Sequence, residues 1–326
     1  MKNNIYKIIG NTPIIKINYI YKGKKRFSFF KAEWLNFSGS IKDRVAYQII
    51  KDAVESGVLK EGQQIVEVTS GNMGISLAAV AKSFNRDVVV FMPKNMSKER
   101  KKLIQMYGAK LILTDNFESA FKQAKDYANK HNAFLARQFE NYSNVLAHIQ
   151  TAKEIFFSLK KELKGFVCGI GTSGTIMGAI NYFNSNQFVL DSKTITEDNI
   201  CNKIKIFGVE PYSSQIFSKG KIRGEHKIQG LADDFVPKLY NDEYVDKIYK
   251  VKDEDALAMS SKLAKTFGFS VGISSGANFL GCALSGINGV ASVFVDDNKK
   301  YISTDLYGVK ETPLVEQINL ESFEIL

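Results

Sequence analysis

A single lysine heads a helical pattern in Asn36-Phe37-Ser38-Gly39-Ser40-Ile41-Lys42-Asp43-Arg44, directly after a turn of small residues. An amine placed there sits among exposed N–H groups at the positive end of a helix dipole, which disfavours its protonated form. A neutral amine is a nucleophile of the Schiff-base kind. Taken alone, Lys42 reads far more readily as an ordinary solvated lysine in an N-terminal turn. Four further segments change that balance.

The first is Val66-Glu67-Val68-Thr69-Ser70-Gly71-Asn72-Met73-Gly74, an apolar run, a turn and a helical pattern. Its hydroxyls, its amide and the N–H groups of the turn suit a carboxylate. The second is Val167-Cys168-Gly169-Ile170-Gly171-Thr172-Ser173-Gly174-Thr175-Ile176-Met177-Gly178, again strand, turn and helix. Backbone N–H groups converge there without side-chain obstruction, and Thr172 and Thr175 add hydroxyls, so a phosphate is accommodated. The loop lacks the G-K-[ST] ending of a triphosphate site, and no G-x-G-x-x-G opens the first strand-helix unit as in a dinucleotide fold. The third, Val271-Gly272-Ile273-Ser274-Ser275-Gly276-Ala277-Asn278, sets small hydroxyl residues before an apolar helix, as a plain serine N-cap also would. The fourth, Gln229-Gly230-Leu231-Ala232-Asp233-Asp234-Phe235-Val236-Pro237, puts two adjacent carboxylates in an otherwise apolar turn, which is equally an exposed acidic turn. Each is weak by itself. A lysine, a carboxylate cradle, a phosphate loop and a small polar contact together point to pyridoxal phosphate acting on an amino acid.

These segments need strand ends and helix starts to hold them. Apolar runs at 64–68, 87–92, 110–113, 165–168, 205–209 and 290–295 alternate with amphipathic stretches at 75–83, 98–107, 117–130 and 253–267. Such alternation predicts an α/β architecture, a parallel sheet with helices on both faces. Residues 46–150 are expected to form a smaller domain and residues 1–45 with 151–326 a larger one, with the cofactor in the cleft between them. The polar stretch 185–202 reads as a surface excursion. At 326 residues and 44% hydrophobic content the chain is long and apolar enough for a sizeable core.

Lys and Arg number 44 against 34 Asp and Glu, a net charge of +10. The cations are scattered and no nucleic-acid motif accompanies them, so a small-molecule partner is expected, without nucleic acid. Cys168, Cys201 and Cys282 have no metal or disulfide spacing, and His131, His148 and His226 form no cluster with them. A metal-free protein of the reducing cytoplasm, away from membranes, is the expectation.

In order along the chain, S-x-K-D-R, T-S-G-N-x-G, G-T-x-G-T and G-I-S-S-G resemble the cysteine synthase family, the O-acetylserine sulfhydrylases and cystathionine β-synthases among the fold-type-II pyridoxal-phosphate enzymes. The similarity runs from Ile9-Gly10-Asn11-Thr12-Pro13 to Tyr301-Ile302-Ser303-Thr304. It implies a two-domain fold of the tryptophan synthase β type, each domain a twisted, mostly parallel sheet flanked by helices. By this resemblance Lys42 is the internal-aldimine lysine and the proton shuttle at the substrate Cα, and Asn72 partners the phenolic oxygen of pyridoxal 5'-phosphate. Gly171, Thr172, Ser173, Gly174 and Thr175 match the phosphate cup, and Ser274 meets the pyridine nitrogen. Thr69, Ser70, Gly71, Met73 and Gln138 look like the substrate-carboxylate site, while Gly230 belongs to the turn facing Cβ. A homodimer is also implied, and no C-terminal regulatory domain is expected after the last motif. A neutral hydroxyl does not hold the ring nitrogen protonated, so the cofactor is a weaker electron sink and loss of a β-substituent competes well with transamination. The expected consequence is an α-aminoacrylate open to attack at Cβ.

Two positions depart from the family pattern. Met73 stands where most relatives carry the threonine of T-S-G-N-T, exchanging a hydroxyl for an apolar, flexible side chain. Where sulfhydrylases read G-I-G-A-G-F and cystathionine β-synthases G-I-G-Y-D-F, this chain reads Gly230-Leu231-Ala232-Asp233-Asp234-Phe235. A carboxylate at Asp233 can take a proton from water, a poor nucleophile without a positioned base, and would repel incoming hydrosulfide. The expected reaction is therefore release of hydrogen sulfide from L-cysteine with water addition to give L-serine, Asp233 or Asp234 serving as base. The alternatives are cysteine synthesis from O-acetylserine and sulfide, cystathionine or lanthionine formation, and a non-catalytic binding or regulatory relative.

Overall fold

The computed structural model of the chain describes residues 4–184, 204–218, 222–233 and 235–326. The excursion expected at 185–202, Cys201 and Asp234 lie outside the described residues. Among the described residues there are eleven strands: β1 Ile14–Tyr21, β2 Lys24–Ala32, β3 Ile65–Val68, β4 Val88–Pro93, β5 Lys110–Thr114, β6 Phe134–Leu135, β7 Gly165–Gly169, β8 Lys205–Pro211, β9 Lys247–Val251, β10 Val290–Phe294 and β11 Ile318–Ile325. The helices used below are α1 Lys42–Glu55, α2 Asn72–Ala81, α3 Lys98–Met106, α4 Phe117–His131, α5 Ser143–Leu159, α6 Gly174–Phe183, α7 Asp253–Phe267 and α8 Ile273–Ser285.

The strands form two sheets. The smaller has order β5-β4-β3-β6 and is parallel throughout. Successive side chains of a strand point to opposite faces, so a parallel strand covered on both sides must be apolar at nearly every position. Ile65, Val88, Val90 and Met92 pack with Val45, Ile49, Leu77 and Ile104 of α1, α2 and α3. Val66, Val68, Val89 and Phe91 pack on the opposite face against Ala120, Ala124 and Ala128 of α4. One charged residue interrupts that pattern, Glu67 of β3, and it belongs to the site described below.

The larger sheet has order β11-β1-β2-β10-β7-β8-β9. It is parallel from β2 to β9 and antiparallel at the β11-β1-β2 edge. Phe166, Cys168, Ile206 and Val293 bury one face against α5 and α6. Val167, Phe207 and Val209 bury the other against α7 and α8. The apolar runs read from sequence match β3, β4, β5, β7, β8 and β10 to within a residue or two, whereas the edge hairpin was not among them. Its signal is local: Lys22 at φ 50 and Gly23 at φ 71 form a two-residue turn of the kind that joins twisted antiparallel strands.

Candidate active site

Thr69, Gly169 and Val295, each at the carboxyl end of its strand (β3, β7 and β10), line one cleft, the general location of ligand sites in α/β folds. The cleft holds about 760 Å³ including its mouth. Lys42, Asn72, Ser274 and residues 171–175 line it, and so do Thr69, Ser70, Met73, Gln138, Gly230 and Asp233. Gly71 stands just behind that wall, its N–H donating to Thr69 Oγ1 at 3.0 Å. Met73 is buried and shared between the cleft and the core under the smaller sheet.

Lys42 is the first residue of α1, and its Nζ donates to Thr172 Oγ1 at 3.2 Å. Its pKa is lowered from 10.5 to about 8, chiefly by burial, while the charges of Asp233 and Glu67 pull it partly back. Burial, rather than the helix end invoked from sequence, leads the effect. A fixed ion cluster anchors this end of α1. Arg44 donates to both oxygens of Glu33 at 2.7 and 2.8 Å and to both of Glu154 at 2.8 Å, and Lys31 lies 2.9 Å from Glu154. Two cations thus balance two carboxylates, and Glu33 is wholly enclosed.

The phosphate-type loop has the close approaches its small residues allow. A Cβ on Gly171 would fall 2.1 Å from the Gly230 carbonyl oxygen, and one on Gly174 would fall 2.0 Å from Asn144 Oδ1. Ser173 sits at φ 69 ahead of α6, and its Oγ is buried without a partner, as is Asn72 Oδ1. Thr172 Oγ1 also takes a hydrogen bond from Asn144 Nδ2 at 3.0 Å, and Thr175 Oγ1 is 3.3 Å from His148 Nε2. Burial, with the charges of Lys42 and Arg44, holds His148 well below its ordinary pKa and hence neutral. Orphaned polar atoms, a helix N-terminus and a partly deprotonated lysine around one cleft fit an anionic aldehyde cofactor such as pyridoxal 5'-phosphate.

The loop carrying Asp233 is tied to the phosphate loop and to α4 and the segment after β6, beside the smaller sheet. Ala232, at φ 42, donates its N–H to the Ile170 carbonyl at 2.9 Å. Phe235 packs edge-on against Phe139 and Phe121, with ring centroids 4.9 and 5.5 Å away. Asp233 thereby faces Lys42 across the cleft, near enough for its charge to act on the amine.

Four residues of the site escaped the sequence reading. Glu67 is buried with its carboxyl accepting from the Val68 and Gln138 N–H groups at 2.7 and 3.0 Å, and burial pushes its pKa up to about 8. Asn144 joins the Gln138 carbonyl, at 2.8 Å, to Thr172. Arg100 and Asp296 lie beneath Asn72. A charge inside a buried strand marks Glu67, and Asp296 follows the apolar β10 run directly; Arg100 and Asn144 carry no such mark. Among the described residues no group of His, Cys, Asp and Glu could hold a metal ion, and no helix is long and apolar enough to cross a membrane.

Residues 5–295 match the family described as pyridoxal-phosphate dependent enzyme. Cysteine synthase B of Campylobacter jejuni is 40% identical over 93% of this chain and 98% of its own length. A hydrogen sulfide-producing enzyme from Fusobacterium nucleatum superposes with a TM-score of 0.88 at 37% identity, covering 99% of this chain and 97% of that one. A variant of that enzyme with one aspartate replaced by asparagine, solved with an α-aminoacrylate intermediate, superposes with a TM-score of 0.89 at the same identity, over 99% and 98% of the two chains.

Proposed function

The chain belongs to the pyridoxal-phosphate-dependent enzyme family and acts at Cβ of serine or cysteine derivatives, and we propose that its reaction is the conversion of L-cysteine and water to hydrogen sulfide and L-serine. The observation that carries this reading is Asp233 in the wall of the Lys42 cleft, on a loop held to both the phosphate turn and the segment after β6. Pyridoxal 5'-phosphate, when bound, supplies the electron sink that lets Cα lose its proton and Cβ its substituent.

In this reading Gly171 to Thr175 hold the phosphate, Ser274 meets the ring nitrogen and Asn72 the phenolic oxygen. Thr69, Ser70, Gly71 and Gln138 bind the substrate carboxylate, with Met73 filling the space behind them and Gly230 covering the Cβ side. Lys42, whose amine is substantially neutral near pH 8, takes the Cα proton and later returns it. The C–S bond breaks and hydrosulfide leaves, taking up a proton from solvent. A water then forms the new C–O bond at Cβ while its proton passes to the Asp233 carboxylate and from there back to solvent, so atoms balance as cysteine plus water giving serine plus hydrogen sulfide. Asp234 stays a second candidate for the base. Residues 46–150 and the remainder are taken as two domains that close on the cleft and exclude bulk water until the sulfide has left. The same reading takes the enzyme as a homodimer, as the family resemblance implies, working in the reducing cytoplasm expected from its unpaired cysteines.

The nearby aspartate-to-asparagine variant with an α-aminoacrylate intermediate supports a carboxylate role at this stage of the chemistry. The Campylobacter relative favours a second reading, cysteine formation from O-acetylserine and sulfide. Asp233→Asn separates them, because it keeps size and removes the base. Positioned bases contribute about 10²–10⁴-fold, so serine formation from cysteine should fall by at least about 100-fold while first-turnover sulfide release persists. Serine formed by the variant at the wild-type rate would defeat the proposal.

A further inference from the structure

Three residues assigned to the cofactor, Lys42, Asn72 and Ser274, come from three distant parts of the chain, and one short segment touches the neighbourhood of all three. Asp296 pairs as an isolated bridge with Ser40, two residues before Lys42, and its carbonyl accepts the Gly272 N–H at 2.9 Å, two residues before Ser274. The flanking backbone repeats the pattern: Ile41 N–H donates to the Val295 carbonyl at 2.9 Å, and Val295 N–H donates to Ser275 Oγ at 2.9 Å. The Asp296 side chain completes the set, its Oδ2 accepting from Asn72 Nδ2 at 2.7 Å.

Asp296 has no solvent exposure, and its carboxylate is held from the far side as well. Tyr301 donates its hydroxyl to the same Oδ2 at 2.8 Å, and Arg100, itself buried, lies 3.9 Å away. Arg100 in turn donates to Tyr301 at 2.8 Å and to the Ser70 carbonyl at 3.1 Å, under the turn assigned to the substrate carboxylate. Gly272 leaves the room this needs, since a Cβ there would fall 2.1 Å from Asp296 Oδ1.

A carboxylate only accepts hydrogen bonds. The atom that Asn72 presents to Asp296 must therefore be its nitrogen, and the alternative amide orientation would set two acceptors against each other. We propose that Asp296 is the positioning residue that fixes the amide orientation of Asn72, leaving the second Nδ2 hydrogen for the cofactor's phenolic oxygen while its backbone sets the register of Lys42 and Ser274. The inference rests on the role given to Asn72 above. Asp296 itself touches neither substrate nor cofactor; it acts through Asn72.

Stripped enzyme reconstituted with pyridoxal 5'-phosphate gives two readouts besides turnover, the cofactor dissociation constant and the absorption spectrum. Ionised phenol conjugated with a protonated lysine imine absorbs near 410 nm, and the neutral form at roughly 330 nm. Asp296→Ala, which removes the acceptor that an asparagine would keep, should raise the dissociation constant at least tenfold and move absorbance from the longer band to the shorter one. Tyr301→Phe, which spares the Asp296–Asn72 bond but removes the other one, should leave both readouts within twofold of wild type even though the fold is less stable. Asn72→Ala should resemble Asp296→Ala. If Asn72→Ala shifts the spectrum and Asp296→Ala does not, the positioning role is wrong and the Asn72 assignment stands. An unshifted Asn72→Ala spectrum overturns the Asn72 assignment and the inference with it, and a Tyr301→Phe shift equal to that of Asp296→Ala reveals general loosening instead. Asp296→Ala strips Arg100 of its counter-ion, so Arg100→Met combined with Asp296→Ala carries the same expectations should the single variant fail to fold.

Discussion

Replacing Arg44 by Met tests whether the ion cluster under the Lys42 turn holds that turn in place. Arg44 makes four hydrogen bonds to Glu33 and Glu154, and the variant leaves Glu33, fully enclosed, with Lys31 as its nearest cation. Burial alone would raise the Glu33 pKa, yet Arg44 leads the opposing effects and carries it down from 4.5 to about 2. At 1.36 kcal/mol per pH unit that fall is worth roughly 3 kcal/mol, in line with the 3–5 kcal/mol cost of removing one partner from a buried pair. With an unfolding entropy of about 2.1 cal/mol/K per residue, the thermal midpoint should drop by roughly 4–5 °C. The pH dependence separates charge from packing. A carboxylate whose folded pKa is depressed contributes stability that is fully present above its unfolded pKa and is lost as pH falls through the folded one. The unfolded chains titrate alike, so the gap between wild type and Arg44→Met in urea titrations should be widest in mild alkali and narrow as pH falls through the variant's own burial-raised Glu33 pKa, by at least roughly 1 kcal/mol at pH 4. Adding Glu33→Gln to Arg44→Met should recover more than half of the loss. A gap below about 1 kcal/mol at pH 7, or one that does not narrow in acid, would refute the electrostatic anchor.

Two further outcomes follow from the same geometry. Loading of the cofactor-free enzyme requires the neutral amine of Lys42, so its rate should rise with pH through a midpoint near 8, as followed by stopped-flow absorbance; Asp233→Asn, which removes a charge that raises the Lys42 pKa, should move the midpoint lower, and a midpoint above 10 would contradict the burial argument. Gly171→Ala forces a methyl to within 2.1 Å of a backbone oxygen, so the phosphate turn and the Asp233 loop must part, and calorimetric titration should show cofactor affinity weakened by at least about tenfold.

Much of this was legible in the chain because the chemistry and the strand ends coincide. Parallel strands buried on both faces announce themselves as continuous apolar runs, and the small residues that follow β3 and β7 are needed wherever a backbone must approach a ligand closely. The antiparallel edge was less legible, since β1 alternates apolar with polar residues and β2 begins with exposed lysines. The deeper layer of the site was hidden for a different reason. Arg100, Asn144 and Asp296 act through partners 28 to 224 residues away in sequence, and nothing in local spacing records which side chains a fold brings together. Glu67 and Asp296 left marks that could have been read, because a lone carboxylate in an apolar strand demands a partner and Asp296 directly follows the apolar β10 run. Lys42 shows a correct expectation with its cause reordered: the depressed amine arises mainly from enclosure, which only the packed structure reveals.

The account turns on which nucleophile meets Cβ, and one measurement addresses it directly. Holoenzyme supplied with L-cysteine alone in ¹⁸O-enriched water should yield hydrogen sulfide and L-serine in equal amounts, with the heavy oxygen in the serine hydroxyl. Pyruvate and ammonia, lanthionine, or no product until O-acetylserine and sulfide are supplied would contradict it.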